Sequence, residues 1–266
     1  MKLKSYSLLL LFFVISNAFG QTSEENEKPD KWGCSVAINN PHSHLAYYGE
    51  VGLAMDADGN MLNAAAKTNK SYSLSVIPKC YISSAVLIRF EYGLTRLDLK
   101  SKAVVYNEGT SSYPTTYDTI NQNINRFVLG VQYDFFKKKK FELFFGINGL
   151  YSKYSPITRR AYSEQRDISS DALISWGRSS ISIPGGYATG VSVSAGLNVF
   201  LNSHFSLGTE FSYGLLYYNV GGKFSEEYLY QILPNTSEKV TNTMTNSYKG
   251  IRFTKIMPSF NLSVWF

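Results

Sequence analysis

Residues 255–266 read "KIMPSFNLSVWF", and this pattern decides the fold. One alternate set is Ile256, Pro258, Phe260, Leu262, Val264 and Phe266, almost wholly apolar. The other is Lys255, Met257, Ser259, Asn261, Ser263 and Trp265, mostly polar. Successive strand side chains point to opposite faces, so the segment predicts a strand with one apolar and one polar face. Most domains end in a frayed, polar tail, whereas this strand pattern runs to a final aromatic.

The same alternation recurs upstream. Segments 45–56, 71–81, 86–97, 123–136, 141–154, 187–201 and 205–218 all carry it, and the last segment extends back to about Gly250. Several exceed the five or six residues usual in a globular strand and match the 9–11 that a tilted strand needs to cross a membrane. The connections 82–85, 137–140 and 202–204 are short, while 57–70, 98–122, 155–186 and 219–249 are long. Short and long connections alternate, as in an up-and-down membrane barrel with short periplasmic turns and long outer loops.

The faces support this reading. Phe266 belongs to the apolar set, which would then face lipid. The complementary positions form the interior: Ser73, Ser75, Lys79, Arg89, Glu91, Gly93, Arg126, Gly130, Gln132, Asp134, Glu142, Asn148, Ser192, Ser194 and Glu210 among them. Charged residues are almost never buried in a hydrophobic core, so polar inside and apolar outside is the pattern of a membrane barrel. Aromatics gather at the strand ends. Phe135, Phe136, Phe141, Phe205, Trp265 and Phe266 mark the short-turn end, and Tyr72, Tyr151, Tyr154, Tyr187, Tyr217 and Tyr218 the long-loop end. Two such girdles are expected at the two membrane interfaces.

Composition and targeting agree. Charged residues are 17% and aromatics 15% of the 266 residues. The net charge is +6, and Lys2 and Lys4 supply two of those charges, leaving about +4 for the rest. No Arg/Lys-rich arm points to nucleic acid. Lys2 and Lys4 precede an apolar run, Leu8 to Ile15, which is too short to span a bilayer, and Ala18-Phe19-Gly20 has small residues where signal peptidase reads. The expected organisation is a signal peptide over 1–20, a periplasmic N-terminal segment over 21–44 and an outer-membrane barrel over 45–266. Trp32 to Asn39 could form a further short strand, but a ninth strand conflicts with the even number typical of bacterial barrels. It could instead extend the first strand downward past Pro41, where the ladder would break.

With strand number, loop asymmetry, leader and the terminal "FNLSVWF" in view, the chain resembles the eight-stranded outer-membrane barrels of the OmpA/OmpX-like, porin-family type. The resemblance implies an all-β, eight-stranded antiparallel up-and-down transmembrane β-barrel in the cell outer membrane of a Gram-negative bacterium. It also implies that Phe260, Leu262, Val264 and Phe266 are read as an insertion signal by the barrel-insertion machinery.

Candidate site residues are few. Glu50, Arg89, Glu91, Arg126, Glu210 and Lys255 are expected as a lumen charge network, with Lys79, Asp134 and Glu142 at the periplasmic rim. An unpaired buried ion costs several kcal/mol, so these groups should pair. They form either a structural plug or a gate that opens a narrow channel when Arg89 changes partner. Cys34 and Cys80 are either a candidate disulfide, placed towards an oxidising periplasm, or two free thiols. His42 and His44 precede the first strand and His204 sits in a short turn, so no histidine reaches the outer interface, where a lipid-modifying enzyme would need one. His42 and His44 alone are too few for a zinc site. "DADGN", Asp56 to Asn60, lacks the spacing and distal Glu of a calcium loop and reads as a turn. No catalytic, metal or cofactor site is expected. The first reading is a structural or surface-interaction protein, with outer-membrane lipid and an unidentified extracellular ligand at the loops as partners. A narrow porin-like channel is the alternative, and a lipid-modifying enzyme a minor one.

Overall fold

A computed structural model describes residues 32–39, 68–69, 71–104, 111–138, 140–234, 237–254 and 256–266. The described residues form twelve strands in one antiparallel sheet. They are β1 (Trp32–Asn39), β2 (Thr68–Asn69), β3 (Tyr72–Tyr81), β4 (Val86–Val104), β5 (Ser112–Lys138), β6 (Phe141–Tyr154), β7 (Ile157–Asp167), β8 (Leu173–Ile183), β9 (Gly186–Phe200), β10 (Phe205–Ile232), β11 (Ser237–Phe253) and β12 (Met257–Trp265).

The ladders close a ring. β1 pairs β3, β3 pairs β4, β4 pairs β5 and β5 pairs β6. β6 then pairs β9, β9 pairs β10, β10 pairs β12, and β12 returns to β1. Eight strands therefore share all their inner-ring edges, which removes the free edges an open sheet would expose. The backbone amide of Phe266 donates to Trp32 O at 2.9 Å, which seals the last rung of the seam.

The seam corrects the sequence reading at one point. The ring position expected for 45–56 belongs to β1, because Gly33 lies opposite Trp265 on one side and Lys79 on the other. Trp32–Asn39 is thus barrel, not periplasmic segment, and the count stays at eight. Segment 45–56 itself, like the leader and the histidines at 42 and 44, lies outside the described residues.

Side-chain chemistry sets the tight turns. Asn202 Oδ1 accepts from the amides of His204 and Phe205 at 2.9 and 2.8 Å, and Ser83 Oγ accepts from the Val86 amide at 3.1 Å. Such side chains replace the backbone partners a reversing chain loses. The opposite end is unlike the loops expected there. β4 and β5 continue their ladder to Val104 and Thr115, and β10 and β11 pair out to Gln231 and Ser237. The chain between β6 and β9 folds into the hairpin β7–β8, whose outer edges pair β5 and β10. A β wall stands on that rim.

The two faces of the ring are inverted relative to a soluble protein. Leu129 is 63% exposed, Ile147 60% and Phe260 67%, whereas Arg89, Glu142 and Ser194 are each at most 3% exposed. Tyr92, Phe127, Tyr151 and Tyr187 form a chain of neighbouring rings around the outside, with centroids 5.2, 6.3 and 6.2 Å apart. An apolar belt edged by aromatics around a polar interior is stable in lipid, not in water. The molecule is an eight-stranded transmembrane β-barrel.

Candidate functional site

The interior is built in three layers, each fixed by strand parity. The middle layer holds two ion pairs. Arg89 on β4 meets Glu210 on β10 in a two-bonded fork, with Nη1–Oε2 and Nη2–Oε1 both at 2.5 Å. Arg89 Nε donates to Asn148 Oδ1 at 3.1 Å, so the guanidinium is held on both sides. Arg126 on β5 pairs with Glu91 on β4, and its Nη2 also donates to Ser75 Oγ at 3.4 Å. The Arg89–Glu210 fork fixes geometry as well as charge. Small residues make room for them. A Cβ at Gly93 would sit 2.8 Å from Ser75 Oγ and 3.5 Å from Arg126 Nε. Of the six residues expected in this network, Arg89, Glu91, Arg126 and Glu210 are brought together, and Glu50 and Lys255 lie outside the described residues.

The lower layer contains the residues expected at the periplasmic rim, but they are buried. Lys79, Asp134 and Glu142 are 4%, 5% and 0% exposed. Tyr81 Oη lies 2.8 Å from Asp134 Oδ2 and 2.9 Å from Glu142 Oε2, donating its one proton between two carboxylates. Gln132 donates to Asp134, Asn198 donates to Glu142, and Lys137 Nζ approaches Glu142 Oε2 at 3.6 Å. These groups are covered because Trp265 lies over the lumen floor. Its ring packs with Tyr81 and Phe200, its indole N–H donates to Ser206 Oγ at 3.1 Å, and Lys79 Nζ stands 5.7 Å from its centroid. Gly33 permits this, since a Cβ there would lie 2.6 Å from the Trp265 ring. Trp265, grouped by sequence with the aromatics of the short-turn end, is 1% exposed.

The upper layer was not anticipated. Leu97, Ile124, Val128, Leu150, Tyr154, Ile157, Ile181, Ile183, Ala188, Leu216 and Val220 pack as one apolar cluster above the charges. Tyr154 and Tyr218, expected in the outer girdle, point inward, and Tyr218 packs against this cluster. The signal was present as an apolar residue at lumen parity in each of β5, β6 and β10 (Val128, Leu150 and Leu216), where the neighbours at that parity are polar or Gly.

The remaining expected residues sit as follows. Phe260, Leu262 and Phe266 are exposed on the outer face at 67%, 45% and 47%, while Val264 is 8% exposed between its register partners Cys34 and Phe205. Cys34 and Cys80 are both free. Cys34 lies opposite Pro78 and Cys80 opposite Trp32, so the thiols are diagonal neighbours, a spacing of roughly 7–8 Å that a disulfide does not span without backbone movement. Outside the ring, the β7–β8 turn is tied by Asp167. Its Oδ1 accepts from the amides and hydroxyls of Ser169 and Ser170. Those hydrogen bonds, from the Ser169 hydroxyl first, hold the Asp167 carboxyl down at about 2.

No protein-family model matches the chain, and no curated protein matches it. Solved structures resemble it weakly. Neisserial surface protein A aligns at 13% identity and TM-score 0.31, over 89% of this chain and 95% of its own. CarO of Acinetobacter baumannii aligns at 7% and 0.34, over 91% and 100%. The outer membrane protein OprG of Pseudomonas aeruginosa aligns at 11% and 0.36, over 92% and 99%. Likeness at this level says nothing of activity.

Proposed function

We propose that the protein is a closed outer-membrane barrel whose lumen is a structural plug and whose working surface is the β wall above the rim. The observation that carries this reading is the stacking of an apolar layer on the charge network. A gate made only of ion pairs could open when Arg89 changes partner, but here Ile124, Val128, Leu150 and Leu216 cover that layer from above and Trp265 closes the floor below. The free space among Arg89, Glu91, Arg126, Asn148 and Glu210 is about 20 Å³, room for roughly one water. Solute passage would need the apolar cluster and the ion pairs to move together.

The leader expected over 1–20, the inverted polarity and the seam at Phe266 support export to the outer membrane and assembly through the barrel-insertion machinery. A structural and recognition role is favoured over catalysis. His204 lies in the short turn with its Nδ1 2.9 Å from Ser203 Oγ, at the end of the barrel far from the wall. Planar-bilayer recording tests the plug. The wild-type protein and Glu210→Ala should both show no unitary conductance. Steady steps in wild type would establish a channel, and steps only in Glu210→Ala would establish a gate.

A further inference from the structure

Above the apolar belt, the outer face of the wall carries a cleft of about 480 Å³ lined by Tyr117, Arg160, Tyr162, Trp176 and Arg178. Register fixes its direction. Tyr117 shares parity with Phe127 and Leu129 along an unshifted β4–β5 ladder, so the cleft opens on the side that faces lipid lower down. Tyr162 lies opposite Tyr117 on one side and Arg178 on the other, which puts all three on that face. The rings form a row of neighbours, Tyr117–Tyr162 tilted at 35° with centroids 6.0 Å apart and Tyr162–Trp176 stacked at 30° with centroids 6.4 Å apart.

The charges around these rings are mostly positive. Lys102 Nζ lies 5.1 Å from the Tyr117 centroid. Of the neighbouring carboxylates, Glu164 is taken up by Arg166, whose Nε lies 3.2 Å away, and Glu227, diagonal to Arg178 on β10, by Lys239 at 3.4 Å. Among the described residues Arg160 and Arg178 have no ion pair, and both are exposed. Guanidinium groups beside flat aromatic faces suit a ligand with phosphate or carboxylate groups and sugar rings, since the fork matches the anion and the ring faces stack on the apolar faces of sugars.

Height selects the source. Tyr117 lies ten residues above Phe127, roughly 34 Å along the strand, which a tilt of about 40° converts to roughly 25 Å above the belt. Phospholipid headgroups reach only about 5–8 Å beyond the hydrocarbon. A group facing sideways at this height meets only a tall headgroup. We propose that the cleft binds the phosphorylated sugar core of a surrounding outer-leaflet glycolipid of lipopolysaccharide type, holding a lipid shell against the wall. This rests on the outer-membrane reading.

The full-length protein, Arg160→Gln/Arg178→Gln and Trp176→Ala would first be reconstituted with phosphatidylethanolamine vesicles and floated. Failure of wild type to float overturns the membrane reading and takes this proposal with it. Each protein would then be titrated in detergent micelles by native mass spectrometry with three probes: lipopolysaccharide bearing a phosphorylated core, lipid A alone, and the free core oligosaccharide. Wild type should bind the core-bearing glycolipid at least tenfold more tightly than lipid A or free oligosaccharide. Both variants should lose most of that preference while still floating. Equal binding of lipid A, or variants as tight as wild type, overturns the assignment. Free oligosaccharide binding as tightly as the glycolipid would assign the cleft to a soluble glycan instead.

Discussion

Arg89 and Glu210 show how a charged interior is tolerated. Each guanidinium and carboxylate of the middle layer has a partner, Arg89 and Glu210 across the lumen and Arg126 and Glu91 diagonally between the adjacent strands β5 and β4, so desolvation is offset within pairs. Removing one member leaves a buried charge. Glu210→Ala should destabilise the barrel by about 3–5 kcal/mol in urea unfolding from detergent, and Arg89→Met/Glu210→Met should recover most of the loss. If the double variant is no better than the single, the pair is not the source of the effect. A second test at this scale is outside the membrane. The folded Asp167 carboxyl titrates near 2, below its ordinary value near 3.8. A depressed acid stabilises the turn fully above the unfolded value and loses that contribution as pH falls through the folded one. The β7–β8 turn should therefore stay ordered at pH 4 and loosen near pH 2, and Asp167→Asn should be pH-independent there. Amide exchange of Ser169 and Ser170 measures this.

At the scale of the element, most strands were legible because lipid outside and polar groups inside make parity unambiguous. Phe141–Tyr154 was readable to the residue. The first strand was not. Segment 45–56 carries the alternation in sequence with Tyr47, Val51, Leu53 and Met55, while Trp32–Asn39 is only eight residues long and its inner face is Gly33, Ser35, Ala37 and Asn39. What selects β1 is the need to satisfy the free edges of β3 and β12 at once, a non-local demand that no window of sequence contains. A truncation lacking residues 21–31 should still assemble a compact barrel that migrates faster on SDS gels before boiling than after. One lacking 21–39 should lose that shift, and retention of it would show that another segment closes the seam.

At the scale of the whole molecule, the site was legible in composition but not in depth. Alternation put Arg89, Glu91, Arg126 and Glu210 inside, but one sequence does not reveal which carboxylate faces which guanidinium around a sheared ring. The apolar ceiling was missed because its residues come one or two from each of β4 to β10 and become a layer only when those strands assemble. The long connections were read as loops because their length between alternating segments matched the outer loops of a membrane barrel, yet most of their described residues are strand held by the neighbouring hairpins.

These features converge on a sealed lumen. Ser194 is 2% exposed in the charged layer, beside Arg89 and Asn148. Ser194→Cys, with Cys34 and Cys80 replaced by Ser, would be reconstituted in vesicles and treated with a small charged maleimide. A Ser169→Cys protein in the exposed turn would be the reference. A sealed lumen predicts that Ser194→Cys stays unlabelled until the barrel is unfolded, while Ser169→Cys reacts fully in the native state. Labelling of Ser194→Cys in the native state at a rate near that of Ser169→Cys would contradict the account.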